Sequence, residues 1–307
     1  MMSISIQTPL IQSQVLSQKT GATIWLKMES AQPSGSFKLR SISHACMYHQ
    51  QQGAEKFISS SGGNAGIAVA YTGRKLGIPV TVVIPETTST RAKELIEQEG
   101  AEVIVHGASW TEANALAQSF VVGKAVFIHP FDDELLWQGI MPIVDEVIVE
   151  GVRSTAIVLS VGGGSLLSGV AQALQKHGLT HIPIYAVETT GTASLHAAMH
   201  AKQWVKLPQV TGISTTLAAQ QVCHNAFELS QKLNIQSVVV SDADTVHACL
   251  NFVDDHRVLV EPACGASLSV LYQQKIQFHA DDQVLVIVCG GASITLKSLL
   301  AYADVMA

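Results

Sequence analysis

Short apolar runs alternate along the chain with stretches of helical period. In the first half, β-rich runs fall at residues 55–60, 79–84, 102–106 and 125–129. Between them lie amphipathic segments such as RAKELIEQEG from Arg91, which closes on glycine as a helix commonly does. A second series opens with TAIVLSV at Thr155, continues with IPIYAVE at Ile182 and ends with QVLVIVCGG at Gln283, followed by a helix into Tyr302. Strands that alternate with helices predict parallel sheets, so two series predict two α/β layers facing a cleft. The pattern changes near residues 131–143, where we expect a boundary. No solenoid-period repeat and no low-complexity linker interrupts it.

Size and charge narrow the picture. At 307 residues and 48% hydrophobic content the chain exceeds what one core usually organises, so two domains are expected. Eighteen basic residues against 24 acidic ones, a net charge of −6, leave no basic footprint for nucleic acid and no polybasic stretch for a membrane. No run approaches the roughly 20 apolar residues of a membrane helix, and MMSISIQTPLIQSQ lacks the regions of a signal peptide; a cytoplasmic protein acting on small molecules is expected. The five cysteines are dispersed without a CxxC pair, which suits reduced thiols. His196/His200 and His177/His181 share i, i+4 spacing, but HAAMH lacks a zinc-protease glutamate and HGLTH is broken by Gly178, so surface or capping roles are expected.

Four stretches carry chemistry. In SAQPSGSFKLR, Lys38 follows a Pro/Ser/Gly turn and begins a helical run. A cation there opposes the helix dipole and Phe37 gives apolar cover; both lower the amine pKa and favour a nucleophile suited to imine formation. In FISSSGGNAGIAVA a strand enters Ser60, Ser61, Gly62, Gly63 and Asn64 and then a helix, an arrangement whose free N–H groups make an anion pocket. IVLSVGGGSLLSGV repeats the device with Gly162, Gly163, Gly164 and Ser165, so one cradle can take a phosphate and the other a carboxylate. Leu167 and Val170 stand where dinucleotide and P-loop fingerprints need glycine and lysine. Finally, Cys289 ends a strong apolar strand, either as an ordinary buried thiol or as a group facing the crevice at the carboxyl end of the sheet. Against a pyridine nitrogen a thiol offers only a weak hydrogen bond, which favours loss of a β-leaving group over transamination.

Together, SAQPSGSFK, SSGGNAG, PFDD from Pro130, LSVGGGSLLSGV, AVET with Glu188, FVDD from Phe252, VEPACGA from Val260 and VIVCGG resemble the serine/threonine dehydratases among fold type II pyridoxal-phosphate enzymes, most closely the short liver-type L-serine dehydratases. The likeness spans nearly the whole chain. It implies two interleaved α/β domains with mostly parallel sheets and the cofactor in the cleft: residues 1–30 plus 138–307 as the large cofactor-binding domain, 31–137 as the small substrate-loop domain. It also implies that Lys38 carries pyridoxal 5'-phosphate as an imine, Phe37 packs on its ring, Asn64 meets the ring hydroxyl, Gly162, Gly163, Gly164 and Ser165 hold the phosphate, and Cys289 faces the pyridine nitrogen. Ser61, Gly62, Gly63, Asn64 and Ala65 would bind the substrate carboxylate. A monovalent cation, usually potassium, would sit at Glu188 with the carbonyls of Gly162, Thr192 and Leu217. The implied reaction has the freed Lys38 amine removing the α-proton and the β-hydroxyl leaving with help from the phosphate or Ser61, giving a 2-oxo acid and ammonia. A homodimer is implied, and no C-terminal regulatory domain.

Two departures bear on this. Ser165 replaces a fourth glycine and keeps the cradle only if its φ suits a residue with a Cβ. Gly62 replaces the alanine of the commoner SSAGNAG loop, which predicts looser substrate positioning. Two rival readings are a racemase or β-replacement enzyme on the same fold, and a binding protein without catalysis. Racemisation needs a second acid/base opposite Lys38, and Gly63 supplies no side chain there. A binding module, in turn, has no need of a nucleophilic lysine.

Overall fold

A computed structural model describes residues 3–306. Its strands form two sheets. The larger has six strands in the order β1-β2-β10-β7-β8-β9, and the smaller has four, β5-β4-β3-β6. The strands are β1 (Leu10–Gln12), β2 (Thr23–Lys27), β3 (Lys56–Ser59), β4 (Val80–Ile84), β5 (Glu102–Val105), β6 (Ala125–Phe127), β7 (Ala156–Ser160), β8 (Ile184–Thr189), β9 (Ile235–Val240) and β10 (Gln283–Ile287). All ladders are parallel except β1 with β2. The expected α/β architecture with mostly parallel sheets is therefore present.

The sequence accounts for this local structure. Strand β7 (AIVLS) and strand β4 (VTVVI) are buried at every position, as strands covered on both faces must be. The helix Asn64–Leu76 stops at Gly77, whose φ of 68° is left-handed and open to glycine, and the helix Ser109 introduces carries a reciprocal capping box with Glu112. One continuous core lies around the six-stranded sheet, with Ile24, Leu26, Val158, Val286 and Ile287 at its centre. Two smaller clusters flank the four-stranded sheet, around Leu39, Phe57 and Val82 and around Ile58 and Val83.

Three strands were not foreseen. β1 is three residues long inside a polar opening, and β9 (IQSVVV) is interrupted after Ile235 by a polar pair. β2 (TIWLK) is disguised by Lys27, a fully buried lysine at a strand end. Its Nζ donates to Thr8 O at 2.7 Å and pairs with Glu146 at 2.6 Å. Glu146 also meets Arg40, whose guanidinium bonds Glu29 at 2.8 and 2.9 Å. Four charges are thus satisfied by one another, which is how ions survive burial. Arg40 sits two residues beyond Lys38 on the same helix, Lys38–Gln51.

β3, β7 and β10 all point their carboxyl ends at one crevice edge. Ser61–Asn64 follows β3, Gly162–Ser165 follows β7 and Cys289 follows β10, the position where open α/β sheets bind ligands.

Candidate active site

Lys38 is the first residue of its helix, after Phe37 as N-cap. The preceding turn is stitched to the end of β10: Phe37 N donates to Cys289 O at 3.1 Å, and Ser36 bridges Gly290. Lys38 Nζ donates to Pro130 O at 2.6 Å and to Ser165 Oγ at 3.1 Å, and lies 5.1 Å from the centre of the Phe37 ring. The residue as a whole is half-buried, yet dense protein surrounds the amine. Burial holds its pKa down at about 8, opposed in part by the nearby Cys223 and Cys289 side chains. The expected lowering is present, and burial is its leading cause.

The Pro130 carbonyl owes its place to His129. The His129 Nδ1 accepts from Phe131 N at 3.2 Å and from Asp132 N at 2.7 Å, which folds the PFDD turn back on itself. Burial, with the Lys38 charge next, holds His129 at about 4, so the neutral ring that can accept both bonds persists.

The two glycine loops are built differently. At 162–165, Gly164 takes the left-handed turn, φ 91°, so Ser165 enters its helix without backbone strain and the condition on its Cβ is met. Among the described residues no protein acceptor takes the N–H of Gly163, Gly164 or Ser165. Three free donors at the N-terminus of a twelve-residue helix, beside a depressed lysine amine, fit a phosphate-bearing aldehyde such as pyridoxal phosphate. At 61–65, Ser61 Oγ accepts from Gly63 N at 3.3 Å, and the N–H groups of Asn64 and Ala65 are likewise free.

Gly62 does not behave as expected. A Cβ there would not reach open space beside a substrate: it would lie 2.6 Å from the Thr88 methyl and closer still to its hydroxyl. Thr88 occupies the volume that alanine would claim, so the loop is filled rather than loosened. This corrects the sequence-based expectation.

Cys289 is buried, and the neighbouring Cys264 thiol together with burial holds its own thiol well above the ordinary range. It therefore stays protonated, a weak donor at most. Asn64 Nδ2 donates to Glu261 at 2.7 Å, and Ala292 N donates to Asn64 Oδ1 at 3.2 Å.

The residues expected around a cation form two pairs. Gly162 lies against the 216–217 backbone, where a Cβ would approach Leu217 Cα to 2.9 Å. Glu188 accepts from Leu195 N at 2.8 Å and His196 N at 2.7 Å, and burial raises its carboxyl to about 8. Thr192 bonds Thr189 at 2.8 Å in the next loop. The β7–β8 register, Ser160 opposite Val187, delivers the loops after both strands to the same sheet edge, and among the described residues no hydrogen bond joins Gly162 or Leu217 to Glu188 or Thr192.

Sequence reasoning missed Pro130 O, Thr88 and Glu261 as neighbours of the site. Pro130 and Glu261 left a trace, in the motifs PFDD and VEPACGA, without a role being read for either; Thr88 left none.

A lysine amine poised between a free N–H cradle and a second anion loop defines the class of an aldehyde-cofactor enzyme. The chain belongs to the pyridoxal-phosphate dependent enzyme family, whose model matches residues 3–290. It is 44% identical to the human L-serine dehydratase/L-threonine deaminase, over 97% of this chain and 94% of that one, and 42% identical to the L-serine dehydratase of Dictyostelium discoideum, over 96% and 91%. A fungal L-serine ammonia-lyase from Rhizomucor miehei superposes with a TM-score of 0.93 at 33% identity, covering 99% of both chains. Maize serine racemase shares the fold at 24% identity, with a TM-score of 0.89 over 98% of this chain and 93% of that one.

Proposed function

We propose that this chain eliminates water from L-serine and L-threonine, giving pyruvate or 2-oxobutanoate and ammonia. The observation that carries the reading is Lys38 Nζ, depressed to about 8 and held between Pro130 O and Ser165 Oγ at the mouth of a free N–H cradle. The names of the relatives, L-serine dehydratase and threonine deaminase, support the substrate class.

Pyridoxal phosphate, when bound, supplies an electron sink for the α-carbon of an amino acid. Lys38 would hold it, Phe37 would pack on its ring, and Gly162, Gly163, Gly164 and Ser165 would take its phosphate. Asn64 and Cys289 would face the ring's polar atoms. The free N–H groups of Asn64 and Ala65, with Ser61, Gly62 and Gly63 around them, would receive the substrate carboxylate. Lys38 Nζ, when neutral, would take the α-proton, and the departing hydroxyl would be protonated by the cofactor phosphate or Ser61 Oγ. Water release and hydrolysis of the resulting enamine then yield the 2-oxo acid and ammonia.

The racemase alternative needs an acid/base opposite Lys38. Gly63 offers none, and the side-chain atom nearest to where its Cβ would stand, 3.5 Å away, is the Thr216 methyl. We further propose a potassium site at Glu188, Gly162, Thr192 and Leu217, and a division into a large domain, 1–30 plus 138–307, and a small one, 31–137. We also propose a cytoplasmic homodimer. Five unpaired buried cysteines favour a reducing compartment, and exposed Leu296, Leu300 and Val305 on one terminal helix favour a partner. No helix of the described residues is long and apolar enough to cross a membrane.

Visible spectra of the purified protein and of Lys38→Ala, followed by pyruvate release from L-serine with potassium, test the reading. Cofactor absorbance lost in the variant together with pyruvate in the wild type supports it. Absorbance with D-serine as the product would transfer the chain to the racemases, and no absorbance would overturn the reading entirely.

A further inference from the structure

Glu261 is buried at the start of the helix Pro262–Tyr272, yet its carboxyl does not cap that helix. It reaches sideways instead. Its Oε1 accepts from Asn64 Nδ2 at 2.7 Å and from Thr216 Oγ1 at 2.6 Å. On the far side of the Asn64 amide, Ala292 N donates to Oδ1. Gly291 packs so tightly on the Glu261 carboxyl that any Cβ would collide with its carbon, and a φ of 133° bars other residues anyway. One carboxyl thus bonds two loops directly, 61–64 and 214–217, and through the Asn64 amide ties in a third, 289–292.

The chemistry of the amide gives this arrangement a purpose. An asparagine side chain can present either its oxygen or its nitrogen to a ligand, and a free one can flip. Here a donor fixes the oxygen end and an acceptor fixes the nitrogen end, so a flip would lose both bonds. The Asn64 nitrogen spends one N–H on Glu261 and keeps the other. Thr216, with its hydroxyl spent on Glu261, turns its methyl toward Gly63.

We propose that Glu261 is a positioning residue for the reaction, locking the Asn64 amide so that its second N–H serves the cofactor and turning the Thr216 methyl onto the substrate loop. This rests on the proposed function, specifically on Asn64 as a cofactor contact. Burial pushes the Glu261 carboxyl up to about 7, so an uncharged amide with an acceptor oxygen is a fair replacement.

The test compares wild type, Glu261→Leu, Glu261→Gln, Asn64→Ala and the double variant Glu261→Leu/Asn64→Ala. Apoprotein is titrated with pyridoxal phosphate by tryptophan fluorescence, and the visible absorbance maximum and the kcat and KM for L-serine are recorded. Loss of a buried hydrogen-bond partner corresponds to about tenfold or more in cofactor Kd. We expect that loss in Glu261→Leu, with the same spectral displacement as Asn64→Ala, near wild-type binding in Glu261→Gln, and a double variant no worse than Asn64→Ala alone. Unchanged binding in Glu261→Leu, failure of Glu261→Gln to rescue, or additive losses in the double variant overturns the proposal. If Glu261→Leu does not fold, Asn64→Asp and Asn64→Asp/Glu261→Gln decide. The swap recovers apoprotein Tm relative to Asn64→Asp but not cofactor affinity, and a swap that recovers neither, or both, refutes the role. Wild type that takes up no pyridoxal phosphate sinks the functional reading itself; uptake with indifferent Glu261 variants sinks only this inference.

Discussion

Lys38 and Ser165 lie 127 residues apart in the chain, yet the Lys38 amine donates to the Ser165 hydroxyl at 3.1 Å. Two acceptors favour the ammonium there, and burial outweighs them, leaving a pKa of about 8. Only about a tenth of the amine is neutral at pH 7, and most of it is above pH 9. The rate at which apoprotein captures pyridoxal phosphate should therefore climb about tenfold from pH 7 to 9 and then flatten. A rate that keeps climbing to pH 10.5 would mark an ordinary lysine.

Ser165→Gly removes an acceptor from the charged form and leaves the desolvation. Hydrogen bonds to a charged state favour that state, so the midpoint of the capture profile should move to lower pH. Neutral-pH capture becomes faster while the free N–H groups of the loop remain. A midpoint displaced upward would mean that the Ser165 hydroxyl does not act on Lys38.

Arg40 anchors the Lys38 helix through Glu29 and Glu146. Removing one member of a buried ion network leaves its partners uncompensated, at a cost of about 3–5 kcal/mol, and lysine cannot reproduce the forked contacts. Both Arg40→Ala and Arg40→Lys should lower the urea midpoint of the apoprotein, alanine more. Retention of the wild-type midpoint by Arg40→Lys would show that a point charge suffices.

This network also shows why part of the fold was hidden. The runs β4 and β7, buried throughout, and β10, buried after Gln283, are apolar and short, so the sequence pattern exposes them directly. β2 is equally central, lying between β1 and β10, but its last residue is Lys27, and a lysine reads as a surface end until Thr8 and Glu146 are known to meet it. The site divides along the same line. Lys38 and the two glycine loops announce themselves locally, because free helix-start N–H groups depend on a few adjacent residues. Pro130 O, Thr88 and Glu261 reach the site only through tertiary contact, from 92 residues away in the case of Pro130 and Lys38.

The Gly62–Thr88 contact yields a paired prediction. Gly62→Ala alone drives a methyl into the Thr88 side chain, so it should lower Tm and disturb the KM for L-serine instead of tightening the loop. Trimming the opposing side chain with Thr88→Ala should return most of the loss, because residues in direct contact are coupled. Strictly additive effects on Tm would mean that the two positions never meet.

Potassium offers the last test. Glu188 is a buried carboxyl whose two oxygens already accept helix N–H groups, and Gly162 meets Leu217 beside the same sheet edge. The proposed oxygen set would suit a monovalent cation, whose binding would brace the 162–165 loop. Exchanging potassium for choline should then lower kcat for L-serine several-fold and reduce the Tm of the holoenzyme, since a ligand bound only by the native state stabilises it. Glu188→Gln keeps the shape but cannot ionise against a cation, so its activity and Tm should lose their dependence on the cation. If Glu188→Gln responds to potassium as the wild type does, the cation binds elsewhere, and the carboxyl serves only to cap the helix that begins at Ser194.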